Sequence, residues 1–323
     1  NRQMKKIIST LAILLIATGV YAQDFVTINP NPRTSGMGNA TVAVSGDAYS
    51  IFGNAAAPLF EYHSVQVQAS YTPWQSDVAS GYYLLSLGGY VKIGQKHALS
   101  IGGRWFQEPK LAGLEAGMDG YPFIPKDEEG NIISLDITRP NGKALDLAYA
   151  YKVCERLGLA VTARYLHYSN GIGDKSDAVD FDIAAYSSIP LSMLEGSSLE
   201  IGAQVANLGF AFGETKYTQP ITAKAGVSLF APFSDSHSLL ATVNAGYRCN
   251  SVEMKGFIAN AGLEYSLMQL LKVRAGYAYD IYNYATVGLG IRFMHIQVDA
   301  SYWVAGKSCP WRNTFSVGLG VDF

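Results

Sequence analysis

The chain has 323 residues, 49% hydrophobic and only 15% charged, with 33 glycines, 21 tyrosines and a formal net charge of −2. The lack of a basic excess argues against nucleic acid as a partner, and the glycine and tyrosine load suits many strands and interfacial aromatics better than a helical fold. Cys154, Cys249 and Cys309 are far apart and lack CxxC spacing, which excludes a disulfide scaffold or a zinc site.

The first predicted element is an export signal. Met4-Lys5-Lys6 opens a short basic region, Ile7 to Val20 is apolar and uncharged, and Val20-Tyr21-Ala22 places small or medium residues where a signal peptidase reads them. Cleavage is expected between Ala22 and Gln23, so residues 1–22 are read as a signal peptide with a short upstream extension, Asn1-Arg2-Gln3. Without Arg2, Lys5 and Lys6 the mature chain carries 21 basic against 26 acidic residues. No later window of eighteen or more apolar residues offers a helical anchor.

Residues 23–62 show no clean alternation and are rich in Gly, Ala, Ser, Asn and Pro. Ile51, Phe52, Leu59 and Phe60 would be wasted in solvent, so the segment is expected to pack rather than trail as an arm.

From Ser64 onward apolar and polar residues alternate again and again, the period of a strand with one greasy and one polar face. Val65, Val67, Ala69 and Tyr71 oppose Gln66, Gln68 and Ser70; Ala285, Val287, Leu289, Ile291 and Phe293 oppose Thr286, Gly288, Gly290 and Arg292. Strands are predicted over 63–72, 81–93, 97–106, 143–153, 156–168, 178–189, 197–206, 221–231, 237–249, 255–266, 271–280, 284–293, 295–304 and 312–323. Several approach the roughly 9–11 residues with which a tilted strand crosses a bilayer. The polar faces carry both signs of charge (Arg104, Arg164, Asp182, Glu200, Lys224, Arg248, Glu264, Arg274, Arg292 and Asp299), which can pair across a crowded lumen while the apolar faces meet lipid. A soluble sandwich would instead leave them solvated.

Short connections ("GQKH", the turn near Glu155, the link at Met294) alternate with longer ones (107–142, 169–177, 207–220), as periplasmic turns and outer loops do in bacterial barrels. "PLSMLEGSS" and "APFSDSH" are the longish exceptions among the inner turns. Tyr71, Trp105, Tyr165, Tyr247, Tyr279, Phe293, Trp303 and Trp311 lie near strand ends and fit interfacial belts. The last strand, "TFSVGLGVDF", puts Phe315 and Phe323 on its apolar face; pairing with the first strand would remove both edges, and its terminal aromatic resembles the signal read by the barrel-assembly machinery. The fold expected is therefore all-β: a transmembrane antiparallel barrel of about fourteen strands over 63–323. Such a barrel is wide enough to need filling, and 23–62 is expected to fill it as a hatch, with Gly288, Gly290, Gly318 and Gly320 thinning the wall to let it approach.

The stretch "RTSGMGNATVAVSGDAYSIFGNAAAP" resembles the N-terminal signature of the PorV/PorQ family of Bacteroidota outer-membrane proteins, through Gly36-Met37-Gly38, Ala43, Asp47-Ala48-Tyr49-Ser50-Ile51 and Asn54. Asn207-Leu208-Gly209, after a strand, adds to the likeness. Where that family commonly has Asn-Pro-Ala, this chain has Asn54-Ala55-Ala56, with proline delayed to Pro58. The family in turn resembles the FadL fatty-acid transporters, fourteen strands with an N-terminal hatch. The resemblance implies a Gram-negative outer membrane and, as hatch residues, Gly36, Met37, Gly38, Asp47 and Asn54. It also implies lipid, the assembly machinery and secreted cargo or secretion-system proteins as partners.

No catalytic constellation emerges: the five histidines are scattered, the GxG pairs lack a third glycine, and no GxSxG is present. The chain is read as a non-enzyme without cofactor or metal. Asp174, Asp177, Asp180 and Asp182 gather near an outer loop and are read either as a calcium site or as a solvated acidic rim. Leu111, Leu114, Met118, Tyr121, Phe123 and Ile124 in the long outer segment suggest a partner surface, a hydrophobic ligand or a lid. Two functions stay open: a barrel that holds or shuttles exported proteins in or alongside type IX secretion, and a FadL-like channel for hydrophobic small molecules.

Overall fold

In the computed structural model of the chain, the residues described are 24–75, 81–109, 139–171, 175–192, 195–213, 219–249 and 256–323. The expected cleavage site at Ala22 and Gln23, Asp174, and the outer segment with Leu111, Leu114, Met118, Tyr121, Phe123 and Ile124 lie outside them.

Fourteen strands form the fold: β1 (Val65–Pro73), β2 (Tyr83–Ile93), β3 (His97–Gln107), β4 (Asn141–Cys154), β5 (Leu157–Ser169), β6 (Lys175–Pro190), β7 (Ser198–Phe212), β8 (Ile221–Ser234), β9 (His237–Cys249), β10 (Gly256–Leu267), β11 (Leu271–Tyr279), β12 (Tyr284–Phe293), β13 (Ile296–Ala305) and β14 (Phe315–Asp322). Each pairs antiparallel with its neighbour, and β14 returns to β1 in a register running from Gln66 opposite Asp322 to Tyr71 opposite Val317, so the sheet closes and no edge remains.

Burial decides between barrel and sandwich. In β1, Gln66, Gln68, Ser70 and Thr72 are buried while Val67 and Tyr71 are exposed. In β12, Thr286 is buried while Val287, Leu289, Ile291 and Phe293 lie on the outer surface. A sandwich hides its apolar face; here the polar face is hidden and the apolar face is bare, the arrangement that lipid requires. Aromatics ring the outer surface near both ends: Tyr71, Trp105, Tyr165, Tyr247 and Tyr279 at one, Tyr149, Tyr151, Tyr265 and Phe293 at the other.

Three sequence expectations shift. Trp303 and Trp311 do not join the outer belts: they are 2% and 8% exposed and lie inside the barrel. Trp303 has the inward parity of β13, opposite to Tyr302, and stacks on Tyr284 at 4.8 Å. β7 continues to Phe212 instead of stopping before Asn207, because Asn207 takes a positive φ of 64° and the pairing with β6 shifts register between Phe181 and Ile183, which lets the strand bend and go on. The "APFSDSH" connection is almost wholly strand, leaving residues 235–236 as the turn between β8 and β9.

The barrel's two ends meet at the side of the shorter turns: the backbone N–H groups of Ser64 and Val65 both donate to the Phe323 carbonyl. That end is periplasmic by the ordinary asymmetry of bacterial barrels. Ahead of β1, residues 24–62 contain four short helical turns, Asp24–Thr27, Pro32–Ser35, Ser50–Phe52 and Ala57–Phe60.

Candidate functional site

The N-terminal segment packs against the inward-facing wall along most of its length. Near the outer end Phe25 stacks on Phe106 at 6.0 Å and covers Gly142. Near the periplasmic end Ile51, Ala55, Ala56, Ala57 and Leu59 bury themselves among inward alanines of β3 to β6, namely Ala98, Ala148, Ala150, Ala160 and Ala184. Small wall residues leave room for the helical turns, and the contact hides apolar groups that the lumen would otherwise wet.

Local chemistry fixes the path of the segment. Asn31 caps the Pro32–Ser35 turn, its side chain accepting from the Arg33 backbone N–H at 2.9 Å. Asp47 accepts from the Asn31 amide at 2.7 Å and from the Tyr49 N–H at 2.9 Å, while its own N–H donates to Ser50 Oγ. Asn54 donates to the Val42 carbonyl at 2.9 Å and to the Ala185 carbonyl of β6 at 2.8 Å, and accepts from the Ala56 N–H. It thus ties a turn of the segment to the wall. The absence of proline after Asn54 does not open that turn, since Ala57-Pro58 carries the next helical turn.

Gly36-Met37-Gly38 lies against β10, β11 and β12. Gly38 has a φ of 67°, donates to Thr286 Oγ1 at 2.8 Å and accepts from Asn260 at 2.5 Å. A Cβ on Gly36 would come within 3.0 Å of Gly288 Cα, one on Gly262 within 2.5 Å of Met37 Cβ, and one on Gly276 would collide with the Met37–Gly38 backbone. Gly288 and Gly318 do face the segment, through Gly36 and Pro32. Gly290 and Gly320 make room instead for Arg274 and Gln68 of the wall itself.

Two ion networks cross the middle of the lumen. Arg33 of the segment grips Glu264 with both Nε and Nη2 at 3.0 Å. Glu264 also accepts from Arg274 at 2.6 Å, and Arg274 reaches Asp299 at 2.6 Å. In the second network Arg104 and Arg164 share Asp146, and Arg164 continues to Asp182 at 2.8 Å and to Asn207 at 2.7 Å. These carboxylates and guanidinium groups are buried, so each is held by paired charge and hydrogen bonds rather than by water. Arg33 and Asp146 escaped the sequence reading. Asp146 shows its inward parity in Ala144, Asp146, Ala148; Arg33 sits in a stretch with no period and its partner lies 231 residues away.

The acidic group near the outer loop dissolves into separate roles. Asp182 belongs to the Arg164 network, Asp180 is buried, and Asp177 faces outward, accepting from Tyr165 at 2.6 Å beside His167. Asp180 and Asp182 are thus not part of a solvated rim, and among the described residues no group of three or more His, Cys, Asp or Glu is placed to hold a metal ion. Carboxyls outside the strands respond to burial: it pushes Glu61 up to about 7 against the pull of Arg33, and Glu108, which accepts from Tyr168, up to about 7.

Between the segment and the wall lies a cavity of about 480 Å³ toward the outer end. Its sides combine aromatic rings (Trp74, Trp303, Trp311, Tyr284) with charged groups of β5 to β9.

With this lumen, fourteen closed strands and an apolar outer face, one comparison settles the family. Residues 14–196, more than half of the chain, match the family described as type IX secretion system protein PorV. The chain belongs to the PorV family. No curated relative matches it. Among solved structures it is similar to the CymD monoaromatic hydrocarbon channel (12% identity, TM-score 0.57, covering 92% of this chain and 98% of that one). It is also similar to the Pseudomonas putida toluene transporter TodX (12%, 0.56, 90% and 97%) and to a Pseudomonas aeruginosa FadL homologue (13%, 0.53, 90% and 98%). At such identities the likeness is one of fold. This PorV-family chain is an outer-membrane β-barrel. Phe315 and Phe323 of its last strand are on the outer surface, Phe323 stacking on His295 at 5.8 Å.

Proposed function

We propose that this PorV-family barrel holds or shuttles exported proteins at the outer membrane, in or alongside type IX secretion. In this reading residues 1–22 are a signal peptide, 23–62 a hatch anchored by Gly36, Met37, Gly38, Asp47 and Asn54, and 63–323 the barrel. The observation that carries it is the family match over residues 14–196. The packed lumen supports it: a barrel whose middle is crossed by Arg33–Glu264 and Arg104–Asp146–Arg164 is better built as a closed platform than as an open pore. The outer segment with Leu111, Leu114, Met118, Tyr121, Phe123 and Ile124 is the proposed gripping surface. Affinity capture of the tagged chain from outer membranes should recover secreted cargo or secretion-system proteins. Replacing residues 110–138 by a short Gly/Ser linker should abolish that recovery while leaving the barrel heat-modifiable. Capture of neither class from a membrane that contains them would overturn the reading.

The second reading is a channel for hydrophobic small molecules. The aromatic-walled cavity favours it. Its sign would be a clean preparation carrying lipid or detergent in the lumen and no protein partner.

A further inference from the structure

The cavity near the outer end is lined by charges of both signs. Three cations line it, Arg164, Lys224 and Arg248, against two carboxylates, Asp182 and Asp280. Arg164 is held by Asp182 and Asp146. Arg248 is held by Asp280 through two bonds of 2.6 Å. Both lining carboxylates are therefore spent on arginines. Among the described residues, no carboxylate stands at ion-pair distance from Lys224, which is only half-buried and forms part of the cavity wall. A cation left so in a low-dielectric lumen is costly and calls for a counter-ion.

The other side of the cavity is a slab of rings. Trp74 stacks on Trp311 at 5.9 Å and meets Trp303 edge-on at 5.4 Å; Tyr282 meets Trp311 edge-on at 5.1 Å. The indole N–H groups of Trp303 and Trp311 are enclosed among these rings and, among the described residues, have no acceptor.

We propose that this cavity is a binding site for a small aromatic carboxylate. A carboxylate would neutralise Lys224, and the aromatic ring that carries it would extend toward the tryptophan slab. A neutral hydrocarbon would leave Lys224 unpaired. A small inorganic anion would leave the rings without a partner. The volume of about 480 Å³ is within the range of small-molecule pockets. This site is independent of the secretion reading and goes beyond a channel for hydrophobic molecules, because it selects for charge.

The test uses the full-length barrel in detergent, titrated with benzoate, benzyl alcohol, toluene and inorganic phosphate, and read by tryptophan fluorescence and calorimetry. Benzoate should bind saturably and at least about tenfold more tightly than the neutral compounds or phosphate, the size expected for a charge-assisted hydrogen bond. Lys224→Met should lose about tenfold in benzoate affinity while leaving toluene unchanged, and Trp311→Ala, which removes a ring from the slab, should weaken benzoate and toluene alike. The comparison among the four probes in the unmodified protein stands even where a variant fails to assemble. Absence of saturable benzoate binding, benzyl alcohol or toluene binding as tightly as benzoate, phosphate matching benzoate, or an unchanged benzoate affinity in a folded Lys224→Met barrel would each overturn the proposal.

Discussion

Met37 is wholly buried, and the residues that make this possible are glycines on the wall rather than anything in its own neighbourhood. Gly262 and Gly276 stand at inward positions of β10 and β11, paired across the two strands, and admit the Met37–Gly38 backbone. Such positions are legible in the sequence by parity: a glycine where the alternation demands an inward side chain marks either a close approach or space for a neighbour. Parity cannot say which, as Gly288 and Gly290 show, two residues apart and serving the segment and Arg274 respectively. Gly276→Val should therefore act on the segment and spare the barrel. The added side chain meets backbone, which cannot swing away, so the packed arrangement should lose on the order of 1–3 kcal/mol. Heat-modifiable mobility should be unchanged, while residues 24–62 become open to added protease; a variant as resistant as the parent would mean that Met37 does not seat there.

At the scale of elements, all fourteen strands were legible because one apolar and one polar face impose a strict two-residue period on each of them. Their ends were less so. A bulge at Asn207 extends β7, and Trp303 and Trp311 turn inward where aromatic content alone suggested a belt. Pairings such as Arg33 with Glu264 are set by closure of the whole barrel and leave no local mark. The last strand offers a test of its own. Phe323 lies at the exposed rim, its N–H donating to the Val65 carbonyl across the closing seam. A charge near the interface costs a barrel only about 0–1 kcal/mol, too little to prevent folding. If the terminal aromatic is read by the assembly machinery, Phe323→Asp should nonetheless lower the amount of folded barrel in the outer membrane several-fold. The same variant should refold in detergent as well as the parent. Normal membrane levels would show that this aromatic is not an assembly signal.

On the scale of the whole molecule, the wall and the N-terminal segment make different demands. The backbone ladders of the strands close on one another in a ring, whereas the segment depends on the wall for Arg33, Gly38 and Asn54 alike. Removing the segment should leave the ring intact and its polar interior, with Glu264, Arg274 and Asp299, exposed to water. Conductance of the purified protein in planar bilayers, before and after deletion of residues 24–60, tests most directly whether this segment is what closes the barrel. The intact chain should show little or no conductance and the deletion a large, steady one; equal conductance from the two would contradict a lumen closed by its N-terminal segment.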